Sequence, residues 1–374
     1  MADEDVLIDI RDLSLHFDTY AGAVKALDGV ELAVHRNETL GLVGESGCGK
    51  TVTAMTILRL LASPPAVYTG GQVMFRRGTQ SDEIDMLRAS MQEIQSIRGN
   101  EISMIFQEPM TSLNPVMRVG DQIAETMLRH QDLGFPKPSD LERYLESRGW
   151  RLTKKLRGRR SEAMRRAAEM LGRIGLADPV AMLERYPHEL SGGMRQRIMI
   201  AMALSCRPHL LIADEPTTAL DVTIQAQIMD LMKELKREEK ASILLITHHL
   251  GIVAEMCDRV AVMYAGSVVE QGMTNDIFHK PSHPYTVGLL RAIPSLSGPR
   301  EELPVIPGRI PDLIDPPSGC RFHPRCPYAM PECAKKRPPP HDVGNGHNVA
   351  CVLYDGTHVV PEALRNAGVR EGVA

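Results

Sequence analysis

The chain has 374 residues, of which 43% are apolar, enough for a substantial core and for two domains or one with additions. Its formal charge is only -4, from 43 basic and 47 acidic side chains, which excludes a global electrostatic argument for nucleic acid or an anionic membrane surface. The opening MADEDVLIDIRD is acidic and lacks the regions of a secretory signal, and no apolar run approaches the ~18 residues of a membrane span. The chain is therefore expected to stay in the cytoplasm.

Val6–Phe17 and Ala23–Val34 alternate apolar and polar residues and read as strands joined at Asp18–Gly22. Tyr20, with Phe17 as second choice, sits where an exposed ring would stack on an adenine; a packed sheet aromatic is the equal alternative. Thr39–Val43 (TLGLV) is a short apolar strand, and Val52–Leu61 has helical spacing. Between them Gly44, Glu45, Ser46, Gly47, Cys48, Gly49, Lys50 and Thr51 fit G-x-x-x-x-G-K-[ST], a loop whose amides cradle phosphates. Lys50 then reaches phosphate oxygens and the Thr51 hydroxyl ligates magnesium, with Val52 opening a helix whose N-terminus favours anions. Cys48 holds a variable position and reads as a small packing side chain. Pro64-Pro65 and Gly70-Gly71 punctuate the chain before the strand Gln72–Phe75, so these pieces form a small antiparallel subdomain beside a parallel core.

Glu101–Phe106 is another buried-looking strand, ending in Gln107 ahead of EPMTSLNP. A glutamine there would reach magnesium or an attacking water and act as a sensor. From Val119 to Leu204 the periodicity is helical, interrupted near Gly134–Ser139 and Gly149–Arg160, which predicts a helical subdomain inserted between two core strands. Within it Arg129–Arg166 carries twelve Lys or Arg against five Asp or Glu, read as a solvated face or a surface for an acidic partner. The Met residues between Met104 and Met202 read as gap-filling core. Ser191, Gly192, Gly193 and Met194 open the helix Met194–Leu204 and offer a hydroxyl and bare amides at a positive helix end, a second phosphate site. The strand in HLLIADE delivers Asp214 to magnesium, and Glu215 follows where it would deprotonate the attacking water. Asp221 is a candidate for a contact across subunits, and His248, after the strand Ser242–Thr247, for the γ-phosphate.

These motifs in this order resemble an ABC-type ATPase subunit over about Val6–Gly272: Walker A (Gly44–Thr51), Q-loop (Gln107), LSGGM signature (Leu190–Met194), Walker B (Leu210–Asp214), D-loop (Ala219–Asp221) and the switch His248. QEPMTSLNP, LSGGMRQR, HPYTVGLL (His283–Leu290) and GCRFHPRCPYA are similar to the oligopeptide, dipeptide and nickel permease branch of bacterial importers. The resemblance implies an α/β fold: a P-loop (RecA-like) ATPase core with an antiparallel β subdomain, an inserted helical subdomain and a C-terminal Cys-rich extension. The corresponding boundaries are 1–106 for the first part of the core, 107–205 for the helical subdomain, 206–280 for the second part and 281–374 for the extension. It further implies ATP and Mg2+, the metal held through Thr51, Gln107 and Asp214, and two such subunits sandwiching ATP between the Walker A of one and the signature of the other. The second ATPase is a paralogue or a second copy. Two permeases and an extracytoplasmic solute-binding protein complete the expected assembly at the cytoplasmic face of the membrane, with no nucleic acid. Oligopeptides or dipeptides are the expected cargo, with nickel, opines or oligosaccharides as alternatives; a non-transport ABC ATPase is the reading from another class. Three departures stand out: Met194 replaces the commoner Gln, His249 replaces Asp, and about Pro136–Arg160 is longer than the branch's usual subdomain.

Beyond Gly272 the chain turns proline-rich at Pro281–Thr286 and Pro294–Pro317, as in an extended connector. Cys320, Cys326, Cys333 and Cys351 follow as C-x5-C-x6-C-x17-C. Four thiolates suit a 4Fe-4S cluster, which the resemblance also implies, while zinc, which favours closer Cys pairs, is the alternative. The tail is expected to be a structural clamp that supplies no group to hydrolysis.

Overall fold

Alternating side chains at the start of the chain build a long hairpin, β1 (Val6–Thr19) and β2 (Gly22–His35), closed by the two residues Tyr20 and Ala21. The computed structural model describes residues 5–78, 82–107, 112–133, 154–218, 221–292 and 306–365. They belong to two units, 1–90 with 242–374, and 91–241. The expected segments Glu108–Thr111, Pro136–Thr153, Ala219–Leu220 and Pro294–Glu302 fall outside the described residues.

In the first unit β4 (Ala66–Arg76) pairs with the other edge of β1, and β5 (Glu83–Asp85) follows, giving the antiparallel order β2-β1-β4-β5. Leu13, Leu15, Leu27 and Val30 fill its buried face, the outcome of a period of two with one side solvated. The second sheet of this unit is built on β3 (Thr39–Val43), every residue of which is buried. It lies parallel between β8 (Ser242–Ile246) and β9 (Arg259–Tyr264), in register Leu40↔Leu244 and Gly41↔Val260. Strands covered on both faces read as unbroken apolar runs rather than alternation. The helix α1 (Lys50–Ile57) follows β3, α8 (Leu250–Met256) follows β8, and β10 (Ser267–Met273) returns antiparallel to β9.

The second unit opens with α2 (Met91–Ile97) and β6 (Ile102–Ile105), and closes with β7 (Leu210–Asp214) and α7 (Val222–Glu239). β6 and β7 pair in parallel, Ile105 opposite Ala213. Between them lie α3 (Val119–His130), α4 (Lys154–Arg173), α5 (Pro179–Leu183) and α6 (Gly192–Leu204). The buried stripe Val119, Ile123 and Met127 of α3 and the small Ala163 and Ala167 of α4 give these helices a close contact. Two expected boundaries move. The interruption expected over Gly149–Arg160 ends by Lys154, where α4 begins; the buried Arg159 stabilises that turn by donating to the Leu128 carbonyl at 2.8 Å. α6 begins at Gly192 rather than Met194, because Ser191 caps it by accepting from the Met194 amide.

Residues 274–365 return over the first unit through α9 (Thr274–His279), α10 (Pro284–Arg291), the short strands β11 (His341–Asp342) and β12 (Asn348–Val349), and α11 (Glu362–Arg365). One apolar cluster here comprises Val287, Leu353 and Leu364 with partly buried neighbours, and Ile277, Tyr285, Phe322 and Val349 are also buried. Polar anchors supplement them. The buried Glu270 accepts from the amides of Ser282 at 2.6 Å and His283 at 2.9 Å and lies 2.7 Å from His347 Nε2. Arg337 donates to the Gly29 carbonyl at 2.9 Å, and Arg321 donates to those of Lys25 and Ala265.

Burial pushes the His283 imidazole down to about 4, so the neutral ring accepts the Tyr285 amide at Nδ1 and caps α10. The unfolded ring takes up its proton first as pH falls, so this contribution is complete above about pH 6.5 and lost toward pH 4. Chemical unfolding across that window should show a loss of about 3 kcal/mol from this group. His283→Asn, which retains a cap oxygen but does not titrate, should flatten the profile.

Candidate functional site

In the first unit the chain leaves β3 into the Gly44–Thr51 loop through a residue that only glycine tolerates. Gly44 has φ +151°, and a Cβ there would lie 2.1 Å from the Met263 carbonyl oxygen. The amide of Glu45 donates to the Tyr285 hydroxyl at 2.8 Å, and that of Cys48 to the Glu45 carbonyl at 3.3 Å. Lys50 is buried and folds back on the loop, donating from Nζ to the carbonyls of Gly44 at 2.8 Å and Glu45 at 3.1 Å. Ser46, Gly47 and Thr51 face solvent, with Gly49 and Val52 half-buried. The lysine and the first-turn amides of α1 make this concavity electropositive. Cys48 is fully buried, and burial pushes its thiol up despite the neighbouring Lys50, so it packs rather than reacts.

The parallel register brings the ends of β3 and β8 to the same side of their sheet, which puts His248 at the edge from which the loop leaves. His248 is exposed, its ring 4.3 Å from that of His249. His249 occupies the cap position of α8, and its amide donates to the Thr247 hydroxyl at 3.0 Å. Tyr20 is fully exposed at the hairpin turn, while Phe17 is half-buried.

In the second unit β7 delivers the buried Asp214 and then Glu215, whose φ of +46° is rare for a residue with a side chain and costs ~1–3 kcal/mol. The Glu215 carboxylate accepts from Gln107 Nε2 at 2.9 Å and from the Thr218 hydroxyl at 2.8 Å. Parallel pairing of β6 with β7 makes this contact between residues 108 positions apart; periodicity offered no sign of it. The signature helix α6 is tied to the same strand end, since the buried Gln196 side chain donates to the Pro216 carbonyl. Gly193 packs tightly, since a Cβ there would crowd the Ile224 side chain at 3.1 Å, whereas one at Gly192 would meet open space. Ser191 and Gly192 are exposed and Met194 half-buried. Asp221 caps α7 by accepting from the Ile224 amide at 2.9 Å.

A profile of the ABC transporter family matches residues 27–218, and one of the oligopeptide/dipeptide transporter C-terminal region matches residues 269–333. The chain belongs to the ABC transporter family. A probable peptide ABC transporter ATP-binding protein of Sinorhizobium fredii, y4tR, is 47% identical over 348 residues, covering 93% of this chain and 95% of that protein. The dipeptide transport ATP-binding protein DppD of Bacillus subtilis is 46% identical, with 93% and 95% covered. The oligopeptide transport ATP-binding protein OppD of the same organism is 44% identical over 98% of this chain and 94% of its own length. Among solved structures, the ATP-binding cassette MJ0796, a post-hydrolysis dimer bound to ADP and Pi, superposes with a TM-score of 0.56 at 23% identity. It covers 72% of this chain and 99% of its own and carries the cassette fold. The chain is thus an ABC ATPase, and no helix among its described residues is long and apolar enough to cross a membrane.

The C-terminal region of this cassette brings Cys320, Cys326, Cys333 and Cys351 to the lining of one small cavity. Burial pushes Cys326 up to about 11 and Cys351 up to about 12, and the neighbouring Cys320 and Cys333 sulfurs add to both shifts. Backbone amides point at the sulfurs: Met330 donates to Cys333 at 3.4 Å, and Phe322, Tyr328 and Leu353 donate to Cys320, Cys326 and Cys351. Such amides are the partners that metal-bound thiolates use. Among the described residues, however, no group of three or more His, Cys, Asp or Glu is arranged to hold a metal ion. Four thiols are the donor type of a soft metal or a cluster.

Two residues that sequence reasoning did not single out reach the loop from this region. Tyr285 of HPYTVGLL holds the Glu45 amide, and Arg325, directly before Cys326, holds the Glu45 carboxylate at 2.7 Å. The motif strings were visible; their pairing with a residue up to 280 positions away was not.

The contact at Gly44 generates a test. Gly44→Ala must displace either the loop or β9, an overpacking cost of about 1–3 kcal/mol, and should weaken a fluorescent ATP analogue at least about tenfold in equilibrium titration. Unchanged affinity would remove the loop from nucleotide binding.

Proposed function

We propose that this chain is the ATP-hydrolysing subunit of a bacterial importer for short peptides, driving transport through membrane-spanning partner chains from the cytoplasmic face. The observation that carries the hydrolytic part is the Glu215 carboxylate, held by Gln107 and Thr218 on a strained backbone at the end of β7. A carboxylate fixed by two donors keeps one geometry for accepting a proton from water. Gln107, which makes one of those bonds, is positioned to report on the site to the segment that follows it. For the peptide cargo, the support is that relatives named for peptide, dipeptide and oligopeptide transport match over more than nine-tenths of this chain.

In the first unit the loop amides, Lys50 and α1 bind and neutralise the phosphates, His248 contacts the γ-phosphate, and Tyr20 stacks on the adenine. Thr51 in the first unit, and separately Asp214 and Gln107 in the second, carry oxygens of the kind Mg2+ prefers, and Mg2+ would neutralise charge on the transferred phosphoryl group. In the second unit Ser191, Gly192, Gly193 and Met194 serve the nucleotide of a second ATPase subunit, and Asp221 lies at that junction. Two permeases and a solute-binding protein complete the assembly.

Cys320, Cys326, Cys333 and Cys351 would hold a 4Fe-4S cluster. What supports this is that all four cysteines line one cavity, with amides aimed at the sulfurs. Bound there, the cluster would add folding energy to the region that holds it. Anaerobically purified protein should then carry about four irons per chain and lose them in Cys326→Ser; stoichiometric zinc without iron would overturn the assignment.

Glu215→Gln retains an oxygen for Gln107 and Thr218 but cannot take a proton. ATP turnover in the assembled complex should fall by about 10^2 to 10^4 while nucleotide binding persists. Near-normal turnover would sink the role given to Glu215.

A further inference from the structure

Glu45, the second residue of the loop, is held at every polar group it has. The carboxylate of its side chain, which is 27% exposed, receives a two-pronged bond from Arg325, Nη1 at 2.7 Å and Nη2 at 3.1 Å. Its amide donates to the hydroxyl of the fully buried Tyr285 at 2.8 Å. Its carbonyl accepts from Lys50 Nζ at 3.1 Å and from the Cys48 amide at 3.3 Å. Two of these partners belong to the C-terminal region and two to the loop, so Glu45 is the joint between them.

The C-terminal side of the joint is rigid. The Arg325 side chain is 6% exposed. Its Nε donates to the Pro307 carbonyl at 2.9 Å, Nη2 also donates to Ile306 at 3.3 Å, and the guanidinium lies 5.7 Å from the centre of the Tyr264 ring. Tyr285 packs against Tyr264 and Phe322 with ring centres 4.7 Å and 5.4 Å away. Such a planar fork, fixed at three edges, presents the carboxylate with one orientation. Cys326 follows Arg325 in the chain, so the order of the cysteine cavity and the place of the guanidinium are linked by a single peptide bond.

We propose that Arg325 and Tyr285 are positioning residues for nucleotide binding: by fixing Glu45 from the C-terminal region they preset the phosphate loop and the Lys50 amine it carries. The region is then part of the ATP site's scaffold rather than a remote clamp. This rests on the reading of Gly44–Thr51 as the phosphate site. A loop already in its binding conformation pays no ordering cost when ATP arrives, so its loss appears as weaker binding more than as slower chemistry.

The test measures ATP dependence of hydrolysis in the assembled transporter, with thermal unfolding of each variant alongside. Arg325→Met and Tyr285→Phe should each raise the KM for ATP about five- to tenfold, with kcat at saturating ATP changed by less than about threefold. Arg325→Lys, which retains charge but not the fork, should recover part of the affinity. Combining Glu45→Gln with Arg325→Met should cost little more than Arg325→Met alone, since both remove one contact. A KM within about twofold of wild type in folded Arg325→Met and Tyr285→Phe, whatever their melting temperatures, would overturn the proposal. If Arg325→Met fails to fold, Tyr285→Phe, which removes one oxygen, decides alone. Lys50→Ala in the same assay separates the two levels. If it too leaves KM unchanged, the phosphate-site reading falls and this proposal with it; if it raises KM while the other variants do not, only the positioning role falls.

Discussion

The close parallel packing of β3 between β8 and β9 is the constraint on which the first unit depends. Every residue of β3 is buried, so its register admits no slip, and its exit sets where Gly44 meets the Met263 carbonyl. Everything that follows, the turn through Glu45, the burial of Lys50 and the start of α1, inherits that position. An open parallel sheet offers its binding crevice at the carboxyl ends of its strands, and here two such ends deliver the loop and His248 side by side.

The second unit solves a similar problem with strain. β7 carries Glu215 into a left-handed backbone conformation that a side chain adopts only when its surroundings impose it. The imposing groups are identifiable: Gln107 and Thr218 on the carboxylate, and Gln196 on the Pro216 carbonyl. The strand pair β6–β7 brings the glutamine there, and the signature helix supplies Gln196. These contacts tie the signature helix and the acidic strand end together.

The C-terminal region is held by polar anchors as well as by buried apolar side chains. Glu270, Arg321, Arg325 and Arg337 each satisfy backbone or carboxylate partners in the first unit, and all but Arg337 are largely buried. Buried charges persist only where their hydrogen bonds are met. Such contacts are directional, so they fix where the region sits as well as whether it stays folded. Through Glu45 the region touches the phosphate loop directly.

Much of the cassette was legible in the residues themselves. The loop motif, the apolar runs TLGLV, LLIAD and SILLI, and the alternation of the opening hairpin are local patterns, because period and turn chemistry depend only on neighbours in the chain. The same holds for Ser191 and Asp221 as helix caps, although α6 begins two residues before the expected start and α4 runs through part of an expected break. What only the tertiary structure decided are the pairings between distant residues: Gln107 with Glu215, Gln196 with Pro216, and Arg325 and Tyr285 with Glu45. A hydrogen bond is set by where two atoms meet in space. Parallel strand order and the return of the C-terminal region created those meetings, and no local pattern encodes them.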